Sequence, residues 1–156
     1  MTENKIVTLA KAKELLDTWK KEGDVVFTNG CFDILHLGHV DYLEKASRFG
    51  SKMIVALNTD ASVRKLKGPE RPVNEEYARA RIMASLSFVD AVILFGEETP
   101  LDLIKALVPD ILVKGNDYTV DKIVGADFVI EHGGKVETIP LVEGYSTTNI
   151  ISKLKK

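Results

Sequence analysis

The sequence predicts an α/β fold in three layers, a five-stranded parallel sheet with helices on both faces. Three observations carry that expectation. Four short segments are apolar at nearly every position, which suits strands covered on both sides. Helical segments of about ten to fifteen residues alternate with them, the pattern of βαβ units with right-handed crossovers. Polar or glycine-bearing stretches follow most of the strands, at the carboxyl ends where open parallel sheets bind ligands.

The elements follow in order. A helix spans about residues 9–22, from Leu9, and stops at Gly23. Val25-Val26-Phe27 is the first strand, and the core runs from there, about residue 24, to about 154. A second helix runs from Val40 to Phe49, with Val40, Leu43 and Ala46 on one face, and Met53 to Leu57 is the second strand. Asn74 to Phe88 opens with Asn74 as N-cap and repeats Ile82, Ser85 or Leu86, and Val89 on one side. Ala91 to Phe95 is the third strand. Thr99-Pro100 carries the N-cap and first-turn signature of a helix that ends before Pro109. Ile111-Leu112-Val113 is the fourth strand, and the alternating Lys135 to Ile139 is a weaker fifth. A closing helix covers about Thr147 to Leu154. Lys65 to Pro72, rich in charge, Gly and Pro, reads as the mobile stretch. No repeat, low-complexity tract or linker divides the chain, so one domain over 1–156 is expected, a Rossmann-like three-layer sandwich.

Composition narrows the function. Residues are 45% hydrophobic and 28% charged, the mixture of a globular protein. With 21 Lys and Arg against 23 Asp and Glu the net charge is -2, which argues against nucleic-acid binding by a general basic footprint. The single cysteine, Cys31, forms no internal disulfide and excludes a multi-cysteine zinc site. It reads as a packing residue. Met1-Thr-Glu-Asn-Lys lacks an apolar leader and no apolar run reaches membrane-spanning length, so a cytoplasmic protein without membrane contact is expected.

The chemistry concentrates after the first strand. Thr28-Asn-Gly-Cys-Phe-Asp33 leads into His36-Leu37-Gly38-His39 at the start of a helix. Three residues apart on a helix, two side chains lie about 60° apart and roughly 4.5 Å along the axis, so both imidazoles can flank one small group. Free N–H groups and the dipole favour an anion at that end, and two imidazole donors complete a phosphate cradle. Two other readings stand beside this one. Zinc also takes histidine, with Asp33 as a third ligand, although the spacing matches no zinc pattern; and the pair can simply cap the helix.

The string Thr28 to Leu43 resembles the signature of the nucleotidyltransferase superfamily of cytidylyltransferases and small adenylyltransferases, whose hallmark is His-x-Gly-His. Its second hallmark, a Ser/Thr-rich turn opening the last helix, is matched by Ser146-Thr147-Thr148. With Arg71-Pro-Val-Asn74, Leu112 to Tyr118 and Gly144 to Ile150 added, the chain from about Lys5 to Leu154 resembles the nucleotidyltransferase domains of ADP-heptose synthases, which in bacteria are often fused to a sugar kinase. The resemblance implies joining the nucleoside monophosphate of ATP to a sugar 1-phosphate, D-glycero-β-D-manno-heptose 1-phosphate, with release of pyrophosphate. The alternatives are a cytidylyltransferase acting on glycerol 3-phosphate or another phosphorylated alcohol and, more remotely, a nucleotide-binding module without catalysis.

Site roles follow from the resemblance. It implies His36, His39 and Thr147 as catalytic residues holding the triphosphate. It implies nucleotide contacts from Thr28, Asn29, Gly30, Phe32, Asp33, Gly38, Ser146, Thr148 and Arg79. The family often has a Glu shortly before that arginine, whereas here Tyr77 and Ala78 directly precede it and Glu76 stands three back. Lys67, Arg71, Lys114, Asn116 and Asp117 are expected on the sugar phosphate. Mg²⁺ is expected on the nucleotide phosphates, with Asp33 the carboxylate nearest a metal-bound water and no direct protein ligand assigned. Homo-oligomers and a separate sugar kinase are partners the resemblance leaves open.

Overall fold

A computed structural model describes residues 1–156. Five parallel strands form one sheet: β1 (Val25–Gly30), β2 (Lys52–Asn58), β3 (Ala91–Phe95), β4 (Ile111–Gly115) and β5 (Lys135–Ile139), in the order β3-β2-β1-β4-β5. Strand order reverses at β1, which lies between β2 and β4, so the crevice of the switch point opens beyond the carboxyl end of β1.

Helices cover both faces, and alternate strand residues sort into two cores. Val25, Phe27, Ile54, Ile93 and Leu112 pack with α1 (Leu9–Trp19), α5 (Leu101–Leu107) and α6 (Ala126–Glu131). Val26, Met53, Val55, Val92 and Val113 pack with α2 (Leu37–Ser47) and α4 (Glu76–Ala84). This two-sided burial is why the four strong strands are apolar at consecutive positions. The Rossmann-like expectation therefore holds.

Several boundaries differ from the expectation. An additional helix, α3 (Asp60–Lys67), is capped by Thr59, whose side chain accepts from the Ser62 amide. The stretch expected to be mobile therefore begins in helix. The N-cap of α4 is Glu75, accepting from the Ala78 and Tyr77 amides, because Asn74 is engaged elsewhere. Helix α2 starts at Leu37 rather than Val40, which puts His36 at its N-cap. The cap of α5 falls at Pro100 rather than Thr99. Short α6 was not anticipated. The closing helix, α7 (Thr147–Leu154), starts where expected, at the Ser/Thr turn.

Candidate active site

All five strands end at one cleft of about 590 Å³. The loop after β1 builds its floor. Phe32 takes a left-handed φ of 46° and is 8% exposed, so its ring turns inward and meets His39 edge-on, centroids 5.0 Å apart. Gly30 is needed for that ring: a Cβ there would lie 2.8 Å from Phe32 Cε2. The glycine thus makes room for a protein side chain, a role beyond the nucleotide contact that the resemblance implies for it.

His36, with φ −143° and ψ 175°, precedes the helix rather than lying within it. The imidazoles of His36 and His39 nevertheless stack, centroids 3.7 Å apart and planes at 24°. Gly38 permits this, since a Cβ would fall 2.9 Å from His36 Cε1 and 3.3 Å from Tyr145 Cβ. Both Nδ1 atoms are buried without a hydrogen-bond partner. Burial lowers the pKa of both rings; for His39, with His36 adding to the effect, it falls to about 4. The free site therefore holds two neutral imidazoles beside the N-terminal amides of α2. That combination suits an incoming anion, which supplies both the missing partner and the missing charge.

Facing the cleft from another direction is the N-terminus of α7. Ser146 Oγ accepts from the Asn149 amide at 3.0 Å and so caps the helix itself. The Thr147 and Thr148 hydroxyls are not used in the cap, and both residues line the cleft. Lys67, Arg71, Lys114 and Asp117 line it as well. Burial lowers the pKa of Lys114, with Asp117 opposing the shift; its Nζ is 3.4 Å from the Asn29 carbonyl and 5.5 Å from the Tyr118 ring centre.

Four expected roles need correction. Thr28 is fully buried, with its hydroxyl between Tyr42 Oη at 2.8 Å and the Val113 carbonyl at 3.0 Å, so it presents nothing to a nucleotide. Arg79 is fully buried too. It donates to the carbonyls of Asn74, Cys31 and Asn58 and to Asp60 Oδ1, all at 2.8–2.9 Å. Glu76, three residues before it, accepts instead from the Asp60 amide. Asn116 is exposed outside the cleft lining, and its backbone N–H donates to the Ile139 carbonyl. Asp33 lines the cleft, but its carboxylate accepts from Arg71 Nε at 2.8 Å and from the Val73 and Asn74 amides at 2.9 Å. Burial pushes that carboxyl up, the Asn74, Val73 and Arg71 donors pull it down, and the net is a value below the ordinary one. Its oxygens are committed to the protein rather than to a metal-bound water.

Sequence reasoning passed over other lining residues. Cys31, read as packing, lines the cleft, as do Tyr42, Asn58, Glu98, Tyr118, Leu141 and Tyr145. Asn58 and Tyr145 lie in the polar or glycine-bearing stretches after the second and fifth strands, and Tyr118 lies in the Leu112 to Tyr118 string of the family resemblance; Glu98 carries no such signal.

A family model described as cytidylyltransferase-like matches residues 27–153. The chain is 55% identical over 153 residues to the bifunctional protein HldE of Paramagnetospirillum magneticum, covering 97% of this chain and 31% of that one. To HldE of Koribacter versatilis it is 49% identical, covering 98% of this chain and 32% of that one. It thus spans about a third of the length of these relatives. Among solved structures, a lipopolysaccharide core biosynthesis protein from Thermoplasma volcanium is similar with a TM-score of 0.63 and 28% identity, covering 80% of this chain and 99% of that one. A pantoate-beta-alanine ligase from Francisella tularensis, TM-score 0.62 at 16% identity over 96% of this chain and 76% of that one, shares the fold.

Proposed function

The chain belongs to the cytidylyltransferase-like family, and on that premise we propose that it is an adenylyltransferase joining the AMP moiety of ATP to a sugar 1-phosphate, D-glycero-β-D-manno-heptose 1-phosphate. The observation that carries this reading is the stacked His36–His39 pair, its two Nδ1 atoms buried and unpartnered at a helix N-terminus. A second helix N-terminus, at Thr147 and Thr148, lines the same cleft. Two such ends in one cavity suit a polyphosphate better than a single anion.

In the reaction an oxygen of the sugar phosphate attacks the α-phosphorus of ATP. The bond from that phosphorus to the bridging oxygen of the β-phosphate breaks, and pyrophosphate leaves with the electron pair. A phosphate monoester is already a nucleophile near neutral pH, so no strong base is required, and catalysis rests on positioning and charge stabilisation. His36 and His39 donate hydrogen bonds to the phosphate oxygens where charge accumulates. Thr147, Thr148 and the first amides of α7 hold the β- and γ-phosphates. Asn29, Gly30 and Phe32 bound the nucleotide from the β1 loop. Lys67 and Arg71 flank the acceptor phosphate, and Lys114 and Asp117 read sugar hydroxyls.

Mg²⁺ fits this site as a passenger of the nucleotide. Lys67, Arg71 and Lys114 bring cationic donors to the cleft, and Asp33, the carboxylate nearest the histidines in sequence, is already engaged by Arg71, Val73 and Asn74. When bound, the ion neutralises phosphate charge, keeping most of its waters. The relatives' description as bifunctional, together with the fraction of them this chain spans, supports a partnership with a sugar kinase. No helix is long and apolar enough to cross a membrane.

Pyrophosphate release with Mg²⁺ tests the proposal, using ATP, CTP and GTP against the heptose 1-phosphate and glycerol 3-phosphate. Release with ATP and the heptose is expected. Release only with CTP and glycerol 3-phosphate would keep the mechanism and replace the substrates.

A further inference from the structure

Asp33 has an inaccessible side chain, yet it sits at the edge of the cleft three residues before His36. Everything it holds belongs to the segment 71–74. Its carboxylate accepts from Arg71 Nε and from the Val73 and Asn74 amides, and its carbonyl accepts from Asn74 Nδ2 at 2.8 Å. Asn74 is held from its other side, where its carbonyl accepts from Arg79 Nε at 2.9 Å. A buried clasp thus ties the segment after α3 to the loop that carries the histidines.

The clasp has a consequence for Arg71. A guanidinium offers five N–H donors in a fixed plane, and Asp33 takes only the one at Nε. The terminal nitrogens of Arg71 have no protein partner, and the side chain lines the cleft with 14% of its surface accessible. Gripped at Nε, the group is pre-oriented as a two-pronged fork, the geometry that matches phosphate oxygens.

We propose that Asp33 is a positioning residue that fixes Arg71 at Nε, leaving the terminal guanidinium nitrogens to bind the phosphate of the acceptor substrate. This rests on the reading of the acceptor as a phosphate ester. It gives Asp33 no contact with nucleotide or metal and makes its effect pass through Arg71.

The test is a double-mutant cycle of Asp33→Asn and Arg71→Ala in the full chain, reading KM for the sugar 1-phosphate and for ATP separately. Each single change should raise the acceptor KM about ten- to hundredfold, the effect of losing a charge-assisted contact, and leave the ATP KM within about twofold. The double variant should be no worse than Arg71→Ala alone. Full additivity, or an Asp33→Asn effect that falls on ATP, would overturn the proposal. Asp33→Asn also turns an amide N–H toward two backbone donors and can unfold the loop, so Arg71→Lys is measured beside it. Lysine keeps the charge and loses the fork, and should behave like Arg71→Ala; wild-type behaviour would overturn the proposal. Inorganic phosphate binding, titrated with the ATP site filled by a non-reacting methylene analogue, separates the two failures. If wild type releases no pyrophosphate, the substrate reading fails. Phosphate binding weakened equally by Asp33→Asn and Arg71→Ala still supports the clasp, and binding unchanged in both overturns it.

Discussion

Nη1 of Arg79 donates to the carbonyls of Cys31 and Asn58 at once, at 2.9 and 2.8 Å, joining the carboxyl ends of the adjacent strands β1 and β2. The same guanidinium reaches Asn74 and Asp60, so one buried cation ties together three segments beneath the cleft: the loop after β1, the β2–α3 junction and the turn before α4. Its only charge partner is Asp60, and the other acceptors are backbone carbonyls.

Arg79→Met should therefore destabilise the fold by about 3 kcal/mol, near the lower end for breaking a buried pair, because Asp60 is partly hydrated and can be resolvated. Urea unfolding checks this through the midpoint. An unchanged midpoint would show that the four hydrogen bonds contribute no net stability.

The histidine pair predicts a pH dependence of stability. His39 has a pKa near 4 in the folded chain and 6.5 as its ordinary value. Between these values the unfolded chain binds a proton that the native chain does not, so stability is full above about pH 6.5 and is lost as pH falls toward 4. The loss attributable to His39 should be on the order of 2 kcal/mol, with allowance for its partial exposure. His39→Asn should flatten the melting profile in that window. Calorimetry of ATP binding in two buffers near pH 6 should show proton uptake, since the phosphates favour the charged imidazoles.

Gly38→Ala should separate activity from stability. Alanine is the better helix former by about 1 kcal/mol, so the helix itself gains. The new Cβ, however, falls 2.9–3.0 Å from the His36 ring and must displace it. Turnover should drop about tenfold or more from the misplaced donor while the melting temperature stays level or rises. A variant with full turnover would mean that the stacked arrangement is not required.

The fold was legible in the sequence because burial on both sheet faces writes itself as consecutive apolar residues, as in Met53 to Leu57. The elements that escaped are short or polar. Helix α3 buries only Ser62 and Val63, and α6 spans six residues, so neither shows a periodic apolar face. At the site, the positions of His36, His39 and the Thr147 turn could be read from a motif and its place at helix starts. The roles of Asp33, Thr28 and Arg79 could not. Whether a polar side chain faces a ligand or is satisfied by backbone groups from distant segments depends on tertiary contacts such as Arg79 with Cys31, 48 residues away. The motif marks where such residues sit and is silent on which way they point.

The most direct test of the account is the turnover number for pyrophosphate release by His36→Ala and His39→Ala, measured beside wild type with folding verified by melting. Each variant is expected to lose about 10²–10³-fold, the effect of removing one preorganised donor from developing charge. Near-wild-type turnover in both folded variants would contradict the phosphate cradle and with it the proposed chemistry of the cleft.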